Sequence, residues 1–167
     1  CTSGSIVIGE DRVCEEIRRG APWAKPSTLV TGAVNGLRRV DAHKIVVATP
    51  YLDEINTAEA VFLQQKGFDV LDIQGLNVED NEAMGRIKPS FLRDFALSID
   101  RPDADAIFVS CGGIRTIDVL QEIEDKAGKP VICSNQAMMW DCLRRAGIDD
   151  KIEGYGQLFQ LDWGQSL

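Results

Sequence analysis

From about residue 41 the chain alternates short β-branched apolar runs with longer amphipathic segments, and that alternation leaves few folds open. "HKIVVATPY" (43–51) is a β-branched run that ends in a polar turn. "LDEINTAEAVFLQQKG" (52–67) follows with near-helical apolar spacing and Gly67 placed as a helix stop. "FDVLDIQG" (68–75) reads as a second strand and "NVEDNEAMGRI" (77–87) as a loop or short helix. Pro89 suits the start of a helix over "KPSFLRDFALSID" (88–100). A third strand, "ADAIFVS" (104–110), ends at Cys111, Gly112 and Gly113. Next come a helix stopped by Gly128 (114–128), a fourth strand "KPVICS" (129–134), a helix stopped by Gly147 (135–147) and a last strand "GYGQLFQL" (154–161). Strands alternating with helices require right-handed crossovers, and therefore a parallel sheet covered on both faces. The expected class is α/β with a doubly wound parallel sheet.

The first forty residues do not follow the pattern. "SIVIGEDRVCEEIRRG" (5–20) and "KPSTLVTGAVNGLRRV" (25–40) read as helices and connections without enough strands for a sheet of their own. Helices with no sheet beneath them leave apolar faces unburied. Residues 1–40 are therefore expected to be the C-terminal part of a first lobe whose opening strands precede Cys1 in the intact polypeptide. Residues 41–150 form the second lobe, and 151–167 a final strand and tail whose return to the first lobe is left open.

The net charge of −8 argues against a nucleic-acid or anionic-membrane binder, since phosphate recognition needs clustered Lys and Arg. No apolar run reaches the length of a membrane span, and no signal-peptide pattern opens the chain. The five cysteines, Cys1, Cys14, Cys111, Cys133 and Cys142, include no CxxC pair, and His43 is the single histidine. A zinc site is not expected, nor any metal or organic cofactor, because neither GxGxxG nor a Walker sequence occurs. Reduced thiols in the cytoplasm are expected.

Two of the cysteines share a setting. "CTSGS" at the start and "SCGGIRT" (110–116) each place a cysteine before small residues and a helical stretch. At the carboxyl end of a parallel strand, helix-terminal amides favour a thiolate, and small neighbours let backbone N–H groups approach an anion. Cys133, expected mid-strand within "PVICS", and Cys142, on a helix's apolar side, read as structural, as does Cys14.

"CTSGS", "VATPYLDEIN", "DNEAMGRI", "VSCGGIRTID" and "GKPVICSNQAMMWDCLRRAG" together resemble the aspartate/glutamate racemase superfamily. The branch they resemble holds maleate cis–trans isomerases, arylmalonate decarboxylases and ectoine-utilisation proteins. The resemblance implies two pseudo-symmetric Rossmann-like lobes with a site in the cleft, one cysteine from each lobe, here Cys1 and Cys111. It implies a cofactor-independent isomerase acting on a small carboxylate or dicarboxylate, as in maleate isomerase. A racemase or arylmalonate-decarboxylase-like reaction of the same superfamily, including an ectoine-degradation role, is the alternative. Decarboxylases of the branch have glycine at the first position, whereas this chain has both cysteines. A polar residue, typically Asn, lies in the family's segment before Cys1, so the site in this chain is expected to be incomplete.

An anionic substrate needs no net positive charge when backbone amides and short side chains hold it. Thr2, Ser3, Gly112 and Gly113 fit that role, and Tyr51 sits just past a strand end with a hydroxyl to donate. Asn81 matches the family's carboxylate-binding Asn; alone it reads as a loop or helix-cap residue. Thr49 and Asn56 are secondary candidates, and Arg115 lies close to Cys111 but on a first helical turn, where Arg is usually solvated. His43 receives no catalytic role, and Trp140 and Met139 read as packing residues. A homo-oligomer is expected. From another class, an N-terminal-nucleophile hydrolase using the amine of Cys1 is an alternative, though it calls for layered antiparallel sheet.

Overall fold

The computed structural model describes residues 2–164 of the chain. Five consecutive buried residues after Lys44 make β1 (Lys44–Thr49) a strand covered on both faces. It pairs in parallel with β2 (Asp69–Gly75) on one side and β3 (Ala106–Val109) on the other, and β3 pairs with β4 (Val131–Cys133). The order β2-β1-β3-β4 places β1 and β3 side by side at the centre, with Val47 opposite Phe108 and Val109 opposite Cys133. The expected α/β parallel sheet is present.

Strand alternation sends the apolar residues to two separate cores. Ile45, Val47, Ala106, Phe108 and Ile132 face one layer; Val46, Ala48, Ile107, Val109, Val131 and Cys133 face the other. The first layer is covered by α3 (Leu29–Arg39), α4 (Asp53–Gln65) and α8 (Ser134–Arg145), through Ala33, Val34, Leu37, Leu63, Ala137 and Trp140. The second is covered by α6 (Pro89–Ser98) and α7 (Leu120–Ala127), through Leu92, Ala96, Leu120 and Ile123. Between β2 and α6 lies the short helix α5 (Asn81–Arg86). Each expected glycine stop holds: Gly67, Gly128 and Gly147 all take positive φ.

The opening segment divides. α1 (Thr2–Ile8) and α2 (Glu10–Gly20) leave Val7, Ile8 and Ile17 exposed, and α2 buries no residue. α3 instead packs tightly against α8: a Cβ added at Gly32 would stand 2.7 Å from the Cα of Met138.

Several expectations are corrected. Residues 154–161 form no strand. Gly154 and Gly156 take φ of 84° and 79°, which breaks extension, and a 3₁₀ turn, Gln157–Gln160, follows. The N–H groups of Gly156 and Gln157 donate to the side chains of Gln121 and Glu124 rather than to a ladder. Cys133 ends β4 and caps α8 instead of lying mid-strand, because the chain turns into the helix at Ser134. Cys142 and Met139 are exposed, on the side of α8 away from the sheet, whereas Trp140 is fully buried as expected. The Trp140 indole donates to the Leu161 carbonyl, and Arg144 donates to the carbonyls of Leu161, Ile148, Asp150 and Phe159, holding the tail down. No helix among the described residues is long and apolar enough to cross a membrane.

Candidate active site

In a sheet ordered β2-β1-β3-β4, the connections leave β1 and β3 in opposite directions, and the crevice beyond their carboxyl ends is where ligands bind in such sheets. Tyr51 follows β1 and Cys111 follows β3, so the topology brings these two predicted residues to that crevice.

Cys111 has φ of 131°, a conformation that costs a non-glycine residue of order 1–3 kcal/mol and persists only where its surroundings enforce it. Two contacts hold it. Its backbone N–H donates to the Ser134 hydroxyl at 3.1 Å, and its sulfur accepts from the Gly113 N–H at 3.2 Å. The Gly113 amide, expected to face a substrate carboxylate, is therefore spent on the thiol. Gly112 lies where a Cβ would meet Leu29 and Asn135 at 3.0 and 3.2 Å, and its carbonyl accepts from the Asn135 amide.

Tyr51 is buried, not a surface turn residue. Its N–H donates to Thr49 Oγ1 at 3.1 Å, and the Thr49 hydroxyl donates in turn to Asn56 Oδ1 at 2.5 Å. Thr49 and Asn56 thus shape the β1–α4 turn. A Cβ on Gly75, the last residue of β2, would fall 2.3 Å from both Asn56 and the Tyr51 carbonyl. The Tyr51 hydroxyl has no hydrogen-bond partner of ordinary geometry among the described residues. Burial pushes its pKa up, the neighbouring Cys111 and Glu59 charges push it further, and the Ser3 hydroxyl pulls the other way. It stays a neutral donor at any physiological pH.

Ser3, Tyr51 and Asn81 line one small cleft of about 160 Å³ together with Leu52, Ile55, Val78, Glu79 and Met84. Asn81 is the first residue of α5, and the cap is Asp80, whose carboxylate accepts from the Ala83 N–H at 2.6 Å. Thr2 is fully buried, its hydroxyl 2.9 Å from that of Ser134. Cys1 lies outside the described residues. A larger cavity of about 300 Å³, lined by Ile117, Met139, Ile152, Tyr155 and Phe159 among others, is almost wholly apolar and contains neither Cys111 nor Tyr51 in its lining.

Sequence reasoning missed three groups. Ser134 connects Thr2 to the Cys111 backbone, and its signal was the serine directly after a strand end in "PVICSNQ". Glu59 is completely buried on α4, and burial pushes its carboxyl up to about 7 against the opposing pull of Ser110. An acid between Asn56 and Leu63 on the apolar stripe of "INTAEAVFL" could have marked it. Ser110, next to Cys111, is also fully buried.

The remaining candidates lie elsewhere. His43 and Arg115 are exposed. Burial pushes the Cys133 thiol up to about 11, which suits its structural reading. Cys14 is half-buried, with its pKa raised mainly by burial. No three His, Cys, Asp or Glu side chains gather as a metal-holding group among the described residues.

Known proteins are similar to this chain in sequence and fold. The chain is 36% identical over 136 residues to arylmalonate decarboxylase of Bordetella bronchiseptica, covering 80% of this chain and 57% of that one. It is 27% identical to a maleate isomerase of Nocardia farcinica, over 92% of this chain and 61% of the relative. A structure of Nocardia farcinica maleate cis–trans isomerase bound to TRIS superposes with a TM-score of 0.88 at 26% identity, covering 95% of this chain and 68% of that one. The chain therefore spans about three fifths of the length of these two curated relatives. The family model described as arylmalonate decarboxylase matches residues 11–159, a span that takes in the whole sheet with Tyr51, Cys111 and Ser134, and the chain belongs to that family.

Proposed function

We propose that this chain carries one thiol half of a cofactor-independent, two-cysteine isomerase acting on a small carboxylate or dicarboxylate, with maleate the first substrate to try. The observation that carries the reading is Cys111: a buried thiol at the carboxyl end of β3, in a strained backbone conformation, with an amide N–H on its sulfur. Cys1 would supply the opposing thiol, where decarboxylases of the branch have glycine.

In this reading the Cys1 thiolate adds to one alkene carbon of the cis-dicarboxylate, and the electron pair moves into the adjacent carboxylate as an enediolate. The former double bond, now single, rotates. Its electrons then return and expel the thiolate, giving the trans acid with no net proton change. Cys111 assists from the other face as acid or second nucleophile, and covalent addition splits one hard step into two. Thr2, Ser3, Tyr51, Asn81 and the Gly112–Gly113 turn hold the carboxylates, with Gly113 acting mainly on sulfur. Relatives named maleate isomerase support the reaction class. The higher identity to an arylmalonate decarboxylase favours a second reading, in which Cys111 alone protonates an enolate after decarboxylation; in a racemase the two cysteines would act as general base and general acid on an α-carbon.

Two pseudo-symmetric lobes, with residues 1–40 belonging to the first, are part of the proposal, as are a homo-oligomeric state and a cytoplasmic location. The free thiols of Cys14, Cys111, Cys133 and Cys142 suit a reducing compartment. The all-parallel sheet does not favour an N-terminal-nucleophile hydrolase.

The test uses the full-length protein with maleate, arylmalonates and chiral α-substituted acids. Loss of turnover in both Cys1→Ser and Cys111→Ser, with a maleate-mass adduct on Cys1, supports the isomerase. Full activity in Cys1→Ser with none in Cys111→Ser sinks it in favour of the one-cysteine reaction.

A further inference from the structure

Glu59 occupies the sheet-facing side of α4, between buried Asn56 and buried Leu63. It has no exposed surface, and neither carboxylate oxygen has a hydrogen-bond partner among the described residues. The group close enough to act on it is Ser110, the residue joining β3 to Cys111, whose hydroxyl is likewise buried and without a hydrogen-bond partner among the described residues. Tyr51 closes the cluster. Its ionisation responds both to Glu59 and to Cys111, which puts the three groups in one electrostatic neighbourhood.

A lone buried carboxylate is strongly disfavoured, whereas a neutral carboxyl has one O–H to give. Ser110 Oγ, which has no partner among the described residues, can accept it. We propose that Glu59 is a positioning residue for the cysteine site: held protonated, it donates to Ser110 Oγ and fixes the Ser110–Cys111 link, and its ionisation opposes formation of the Cys111 thiolate. The proton exchanges with solvent, so nothing else is consumed. Burial and the opposing pull of Ser110 leave the carboxyl titrating at about 7, so both charge states occur near neutrality.

The titratable group facing Glu59 is Tyr51, from the β1–α4 turn, and Tyr51 in turn faces Cys111 at the end of β3. From α1 the described residues bring only uncharged side chains. Of the acids on β2, Asp69 is exposed and Asp72 accepts from Gln74 at the surface. The inference deepens the proposed function, since it takes Cys111 as the reactive thiol. Its tests use no substrate, so it can fail while that reading stands.

In the full-length protein, alkylation of Cys111 by iodoacetamide is followed by peptide mass mapping across neutrality in wild type and Glu59→Gln. Glutamine cannot ionise, so the variant is expected to react at the wild-type rate on the acidic side and about threefold or more faster just above neutrality, where Glu59 of the wild type is ionised. A rate ratio that does not change with pH would mean a merely structural residue and overturns the proposal. Infrared spectroscopy of the wild type gives a readout that no variant's folding can spoil. The carbonyl band of a neutral buried carboxyl should be present at mildly acidic pH and disappear as pH rises through the neutral range. Its absence at acidic pH overturns the proposal. In Ser110→Ala the band should persist at a higher frequency, having lost its acceptor; an unmoved band refutes the donation to Ser110.

Discussion

The backbone N–H of Cys111 donates to the hydroxyl of Ser134 across 3.1 Å, and that bond ties the end of β3 to the first residue of α8. The same hydroxyl lies 2.9 Å from Thr2 Oγ1, so one serine couples the two cysteine-bearing segments. Ser134→Ala is expected to lower stability by about 1–3 kcal/mol, because it leaves a buried N–H without an acceptor. Denaturant unfolding measures this, and a change below the error of the method would show that Cys111 is held by other contacts.

Tyr51→Phe separates binding from stability. The hydroxyl has no hydrogen-bond partner of ordinary geometry among the described residues, so removing it should leave the unfolding free energy within about 1 kcal/mol of wild type. If Tyr51 donates to a substrate carboxylate, dicarboxylate affinity measured by calorimetry should fall about tenfold or more, the ordinary worth of a hydrogen bond to a charged group. Unchanged affinity would remove Tyr51 from the binding residues.

Strain at Cys111 reverses a familiar order. At φ of 131° glycine is at ease and alanine is not, so Cys111→Gly should be more stable than Cys111→Ala by about 1 kcal/mol or more. Thermal melts of the two variants decide it. The usual order, alanine above glycine, would mean that the backbone relaxes once the thiol is gone.

The two cysteines of the β4–α8 unit should part company. Cys133 is buried and caps α8, so Cys133→Ala should cost about 1–2 kcal/mol; Cys142 is exposed, so Cys142→Ala should stay within about 0.5 kcal/mol. A thiol reagent at neutral pH should label Cys142 quickly and spare Cys133, whose thiol burial pushes up to about 11. Equal labelling would contradict the burial.

Glu59 gives stability a pH dependence of definite sign. Its carboxyl titrates at about 7 in the folded chain against 4.5 ordinarily, so between these values the native state binds more protons than the unfolded state. Its contribution is intact below about 4.5, declines as pH rises, and levels off above about 7. At about 1.4 kcal/mol per tenfold change in proton affinity, the span from 4.5 to about 7 amounts to roughly 3 kcal/mol. Denaturant unfolding of wild type and Glu59→Gln at several pH values should show that difference growing from acidic to neutral pH. Parallel curves would exclude it.

The sheet was legible because strand burial is written locally. Runs such as "KIVVAT" and "AIFV" cannot sit anywhere but between two covered faces, and Gly67, Gly128 and Gly147 announced their helix ends. Cys111 stood out for the same reason, at the end of such a run and before two glycines. Residues 154–161 misled because an apolar stretch carries no sign of what its amides will meet; Gln121 and Glu124, far back in the chain, supply acceptors that no strand could. Cys142 was misplaced because the spacing of apolar residues does not say which arc of α8 faces the sheet and which is left to solvent.

Sequence by itself determined the class of sheet, the placement of Tyr51 and Cys111 just past strand ends, and the resemblance behind the proposed chemistry. Only the tertiary structure decided that Ser134 anchors the Cys111 backbone, that Gly113 turns its N–H to the sulfur, and that Glu59 lies buried behind Ser110. Hydrophobic patterning acts between neighbours a few residues apart and can be read along the chain. Hydrogen bonds and charge burial join groups dozens of residues apart, and their partners exist only once the strands and helices have packed.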